Sequence, residues 1–206
     1  MRVCIFAKPP VAGEVKTRLA VSLGPRVAAR LARAFLDDTI DAVRSLPWAD
    51  CVLATTAPFG CELPILLQGE GDLGDRIERV LRAALVQSPS ALAIGADAPA
   101  LPARLLEGAR AALGRADAVL GPADDGGFYL LGLNRCPQGL LADLPWSSPE
   151  TCLRTAQRLR ESGLRVEELE PWFDVDLPAD LDRLRREIER GGIVAPRTAL
   201  VLRELR

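Results

Sequence analysis

The stretch Ala91-Leu92-Ala93-Ile94-Gly95-Ala96-Asp97-Ala98-Pro99 decides how the chain is read. Its apolar opening is long enough for a buried strand and too short for a buried helix. Its close sets one carboxylate, Asp97, among small residues before Pro99 ends the strand. Open α/β sheets put ligand chemistry in the crevice beyond the carboxyl ends of their strands. An interior strand here therefore presents Asp97 to a ligand. The alternative is that Asp97 caps a helix begun by Pro102.

Outward from this stretch, strands and helices alternate. Strands are expected over 2–7, 50–55, 64–68, 91–95, 116–120, 127–133 and 165–169. Helices are expected from a turn ending at Leu23, from Pro25 to Ser45, and after Asp72 or Asp75 with Ile77, Val80, Leu81 and Leu85 inward. Others follow over 102–113, 149–162, 178–190 and 197–205. This rhythm predicts one three-layer α/β domain over 1–206 with a mostly parallel sheet. The stripe Leu200, Val201, Leu205 can dock on the core or on a second copy in a homodimer.

Composition narrows the function. Net charge is −2 with acids and bases interspersed, unlike a nucleic-acid or membrane footprint. No apolar run approaches a membrane span or a signal segment, so the chain reads as soluble and cytoplasmic. The five cysteines are scattered and never spaced as CxxC, which reads as small core residues in a reducing compartment. There is no histidine, which removes Ser-His-Asp and Cys-His catalysis and every His-ligated metal. A resident metal would need oxygen ligands, favouring Mg²⁺, Mn²⁺ or Ca²⁺. Only Lys8 and Lys16 among the 26 basic residues are lysine, and both fall near the first loop. Two compact ammonium charges there suit phosphate.

Gly69-Glu70-Gly71-Asp72-Leu73-Gly74 is a literal GxGxxG before a helix. Glu70 and Asp72 put negative charge where a pyrophosphate would approach, and the motif follows the third strand instead of the first. A dinucleotide site is therefore disfavoured.

Four constellations remain. Lys8, Lys16 and Arg18, with helix-start N–H groups, suit a di- or triphosphate, or are plain surface charge. Asp174 and Asp176 flank Val175 just before the helix over 178–190, where they join Asp97 around a divalent metal, or Asp176 merely caps the helix. Asp124-Asp125-Gly126-Gly127 is a hairpin turn, or a polar patch for a polyhydroxyl acceptor. Pro145-Trp146-Ser147-Ser148-Pro149 begins a helix or walls a sugar or base.

Taken together, Phe6-Ala7-Lys8-Pro9-Pro10, Val15-Lys16-Thr17-Arg18-Leu19, Gly71-Asp72-Leu73-Gly74-Asp75-Arg76, Gly95-Ala96-Asp97-Ala98-Pro99, Gly121 to Leu130, Pro145-Trp146-Ser147 and Phe173-Asp174-Val175-Asp176 resemble, in order, the DUF2064 group of nucleotide-diphospho-sugar transferases. That resemblance implies a GT-A-like fold, near molybdenum-cofactor and 2-phospholactate guanylyltransferases. It implies that Phe6, Ala7, Lys8, Lys16 and Arg18 hold base and phosphates, with Gly74 and Arg76 beside the base. It implies Mg²⁺ or Mn²⁺ on Asp97 and on Asp176 with Asp174. One departure stands out: glycosyltransferases of this fold usually carry DxD, and Gly95-Ala96-Asp97 keeps only its last acid.

The expectation is a metal-dependent transferase taking a nucleotide or nucleotide-sugar donor and a small-molecule acceptor. Glycosyl transfer stands first, then nucleotidyl transfer, then a nucleotide-binding module without turnover. Without histidine the general base for a hydroxyl acceptor must be a carboxylate, Asp124 or Asp125. Gly126, Gly127 and Trp146 would line the acceptor side.

Overall fold

Strand β1 (Arg2–Phe6) shows why the sheet is buried on both faces. Val3 and Ile5 enter one apolar cluster and Cys4 the other. The same alternation divides Leu92 and Ile94 from Ala91 and Ala93 in β4 (Ala91–Gly95), as expected for interior strands covered on both sides. The computed structural model describes residues 1–99 and 101–205.

The remaining strands are β2 (Asp50–Thr55), β3 (Ile65–Leu67), β5 (Ala118–Pro122), β6 (Phe128–Leu133) and β7 (Val166–Glu168). They form a seven-stranded sheet in the order β3-β2-β1-β4-β6-β5-β7. Only β6 runs against its neighbours β4 and β5, so the sheet is mostly parallel. The helices are α1 (Thr17–Leu23), α2 (Pro25–Arg44), α3 (Leu73–Leu85), α4 (Ala103–Leu113), α5 (Thr151–Glu161), α6 (Pro178–Glu189) and α7 (Pro196–Arg203). Side chains of α2, α4, α6 and α7 pack in one cluster and those of α3 and α5 in the other, giving three layers. The predicted elements are all present: β2 and β4 match end for end, and the other ends agree to within three residues.

Three local features matter for the site. Pro102 is the N-cap of α4 instead of its first residue, so Asp97 is not the N-cap of that helix. The N-cap of α6 is Leu177, and Asp180 reaches back to accept from the Asp176 and Leu177 N–H groups at 3.0 and 2.7 Å. Asp176 is thereby released from capping. The GxGxxG segment starts α3: Asp72 and Asp75 close a reciprocal capping box at 2.9 and 3.1 Å.

The C-terminal helix docks on its own chain. Asp38 of α2, fully buried, accepts from the Arg197 and Thr198 N–H groups at 3.1 and 2.8 Å and so caps α7 from outside. Val201 and Leu202 join the core while Leu200 stays exposed. Among the described residues no helix is long and apolar enough to cross a membrane, and all five cysteines are free.

Candidate functional site

β1 and β4 are neighbours at the centre of the sheet, and the chain leaves them in opposite directions. After β1 it crosses to β2 on one side; after β4 it proceeds to β5 on the other. The crevice beyond such a pair is the natural ligand site of an open α/β sheet. The loop 7–16 issues from β1 and Asp97 follows β4.

Segment 170–177 is stitched along the same edge. The Asp124 N–H donates to the Trp172 carbonyl at 3.0 Å, and the Val175 N–H to the Asp97 carbonyl at 2.9 Å. The second bond sets Asp176 beside Asp97. Between their carboxylates stands the Lys16 ammonium, 2.8 Å from Asp176 Oδ1 and 3.3 Å from Asp97 Oδ1, its side chain only 7% exposed. Arg18 lies further out, 3.9 Å from Asp176. Burial pulls the Lys16 ammonium toward losing its proton, but Asp97 and Asp176 outweigh it, and its pKa rises above the ordinary lysine value. Lys16 also carries a left-handed backbone (φ 47°, ψ 46°) at the N-cap of α1, with no side-chain cap.

Two contiguous chambers open here. The first, about 350 Å³, is lined by Phe6, Ala7, Lys8, Lys16, Arg18 and Arg76 among others. The second, about 510 Å³, is walled by Phe128, Tyr129 and Trp146 and edged by Asp125, Asp174 and Ser147. Arg18, Leu73, Asp97 and Asp176 border both. Burial, then repulsion from Asp125 and Asp176, pushes the Asp174 carboxyl up to about 6. Arg76 Nε and Trp146 Nε1 are buried N–H groups without a partner among the described residues.

The structure thus brings together Phe6, Ala7, Lys8, Lys16, Arg18, Arg76, Asp97, Asp174, Asp176, Asp125, Gly127 and Trp146. It sets three expected residues apart from the chamber walls. Asp124 pairs with Arg183, whose guanidinium lies 4.0 Å over the Phe173 ring, so of the two neighbouring acids only Asp125 lines a chamber. Gly126 has φ 89° and packs on the Pro149 carbonyl, where a Cβ would stand 2.1 Å from the oxygen. Gly74 lies under Trp146 and the Leu141 carbonyl, with no room for a Cβ. These two glycines are packing requirements.

Sequence reasoning missed Gln68, which ends β3's run, is buried, and lines the first chamber while its amide donates to the Ala54 carbonyl at 3.0 Å. A polar residue closing an apolar strand at the ligand edge was the available signal. Arg183 had none, because its partner lies across the fold.

Do these residues suit a divalent metal? Among the described residues no three His, Cys, Asp or Glu side chains gather into a cage. Two carboxylates converge, with a cation already between them. That donor set fits Mg²⁺ or Mn²⁺, which keep waters and take phosphate oxygens to complete their shells.

Comparison with known proteins gives the family and the fold. Residues 42–148 match the family DUF2064, described as an uncharacterised protein conserved in bacteria. The chain is 31% identical over 174 residues to a 2-phospho-L-lactate guanylyltransferase of Haloarcula marismortui, covering 84% of this chain and 81% of the relative. A provisionally assigned nucleotide-diphospho-sugar transferase from Desulfovibrio desulfuricans superposes with a TM-score of 0.89 at 29% identity, over 98% of this chain and 94% of the other. A 4-diphosphocytidyl-2C-methyl-D-erythritol synthase from Anaerococcus prevotii shares the fold alone, at a TM-score of 0.57 and 12% identity over 91% and 97% of the two chains. With its crevice beyond β1 and β4 built on the nucleotide-diphospho-sugar transferase fold, the chain belongs to the DUF2064 family.

Proposed function

We propose that the protein is a nucleotidyltransferase, moving a nucleoside monophosphate from a nucleoside triphosphate to a phosphorylated small acceptor, with Mg²⁺ or Mn²⁺. The observation that carries this reading is the cation-bridged pair Asp97–Lys16–Asp176 at the switch between β1 and β4. A single acid follows β4, where glycosyl transfer would call for two. The guanylyltransferase relative supports the same choice over the glycosyl transfer that stands first in the sequence analysis.

In this reading the first chamber takes the nucleotide. Lys8, Lys16, Arg18 and Arg76 meet its phosphates, with the unpaired Arg76 Nε a ready donor. Gln68 edges the same chamber beside the base. A metal on Asp97 and Asp176 supplies neutralisation of the charge that develops on the leaving pyrophosphate. The acceptor sits in the second chamber against Trp146, and Arg18 on the border is placed to hold its phosphate. An acceptor phosphate oxygen attacks the α-phosphorus, the bond to the β-phosphate oxygen breaks, and pyrophosphate departs. An anionic acceptor needs no general base.

Glycosyl transfer is a second reading, favoured by one observation. Asp125 lines the acceptor chamber with its Oδ1 accepting from the Gly127 N–H at 2.8 Å, so a carboxylate base is present for a hydroxyl acceptor. The test is pyrophosphate release from each nucleoside triphosphate with Mn²⁺ and 2-phospho-L-lactate. Acceptor-dependent pyrophosphate supports nucleotidyl transfer. Nucleoside diphosphate released from a nucleotide sugar, with no pyrophosphate from any triphosphate, supports the second reading. Nucleotide binding without either product, unchanged in Asp97→Asn, marks a binding module.

A further inference from the structure

The position a divalent ion would take between Asp97 and Asp176 is held by a charge of the chain's own. Lys16 Nζ lies within salt-bridge distance of both carboxylates, buried from solvent. Its backbone is in the left-handed region, which costs a side-chain-bearing residue free energy and persists only where the surroundings impose it. The usual N-cap residues spend their side chains on helix N–H groups. Lys16 sends its own back into the crevice and leaves α1 without a side-chain cap. Strain and a forgone cap both serve the ammonium's placement.

The charge count gives the placement its consequence. Asp97 and Asp176 carry two negative charges; Lys16, with Arg18 at the rim, carries two positive ones. The adjoining acids are Asp174, which also feels Lys16, and Asp125 beyond it. A divalent ion entering this set meets two solvent-facing carboxylates already engaged by an ammonium a few ångströms away, and the two cations repel. An arriving phosphate changes the balance. An ammonium has three donors, and a phosphate oxygen is a partner that draws it off the carboxylates while helping to bind the metal.

We propose that Lys16 is a resident counter-cation that competes with divalent metal for the Asp97–Asp176 pair, so that the metal enters with the nucleotide and not before it. The inference rests on the nucleotide-plus-metal reading of the crevice. It adds an order of binding and a residue that enforces it. Lys16 is in this sense a positioning residue whose role changes from filling the metal position to meeting phosphate.

The test is Mn²⁺ binding to nucleotide-free protein, read by the loss of the free-ion electron paramagnetic resonance signal. Wild type, Lys16→Met, and Lys16→Met with Asp97→Asn are compared, each first checked for folding by circular dichroism. Lys16→Met is expected to bind Mn²⁺ at least tenfold more tightly than wild type, and the double variant to lose that gain. Equal Mn²⁺ affinity of wild type and Lys16→Met overturns the proposal, as does a gain that survives Asp97→Asn. Should Lys16→Met fail to fold, Lys16→Gln, which keeps length and polarity without charge, answers the same question. The comparison uses no nucleotide and no turnover. Absence of pyrophosphate release would therefore count against the proposed reaction, while this inference stands or falls by Mn²⁺ affinity.

Discussion

Gly74→Ala separates a glycine kept for a ligand from one kept for packing. Gly74 is the second residue of α3, and an added Cβ would lie 2.4 Å from the Leu141 carbonyl oxygen and 2.7 Å from Trp146 Cζ2. Ordinary contacts need the better part of an ångström more. Retreat is limited, because Glu78 of the same helix accepts from the Gly139 and Leu141 N–H groups at 2.7 and 3.2 Å and ties that loop to α3. Two effects oppose each other. Alanine favours helix over glycine by up to about 1 kcal/mol, less in a first turn. Overpacking a tight site costs about 1–3 kcal/mol. Steric cost wins, and a net loss of about 1–2 kcal/mol is expected. Urea unfolding by linear extrapolation, at constant slope, measures it. The displaced indole should also raise the acceptor KM while leaving the nucleotide KM unchanged. A Gly74→Ala protein as stable as wild type, with both KM values unaltered, would refute the packing account.

Two further outcomes follow from the same structure. Asp38→Ala removes the external cap of α7 and strands two N–H groups. Urea unfolding should show a loss of about 2–3 kcal/mol, and Asp38→Asn a smaller one. Asp174 has a folded pKa of about 6, raised above its unfolded value, so the folded state holds its proton more tightly and stability falls as pH climbs from about 4 through 6. Allowing for its partial solvation, that loss is about 1 kcal/mol. Unfolding free energies at pH 4.5 and 7.5 should differ less in Asp174→Asn than in wild type by that amount, and an unchanged difference would contradict the assignment.

The layers and most strands were legible because buried parallel strands write themselves as short apolar runs and amphipathic helices as a 3.6-residue period. Asp97 after β4 and Lys16 after β1 were legible for the same reason, since each follows a readable strand. Their meeting was not. It depends on the Val175-to-Asp97 backbone bond and on a left-handed Lys16, and neither leaves a periodic trace. Asp180 capping α6 in place of Asp176 is likewise a choice between carboxylates in one short segment, settled by geometry alone. Asp124 and Asp125 are adjacent in sequence, and only the position of Arg183 distinguishes them. Gly74 and Gly126 look in sequence like ligand-cradling glycines, because close approach to a ligand and close approach to the chain itself demand the same residue.

The proposed nucleotidyl transfer requires the crevice beyond β1 and β4 to be a metal-assisted phosphate site. Calorimetric titration of GTP into wild type and Asp97→Asn, each with and without Mn²⁺, tests that claim most directly. Wild type is predicted to bind at least tenfold more tightly with Mn²⁺, and folded Asp97→Asn to show no Mn²⁺ effect. An equal Mn²⁺ effect in both proteins, or none in wild type, would contradict it.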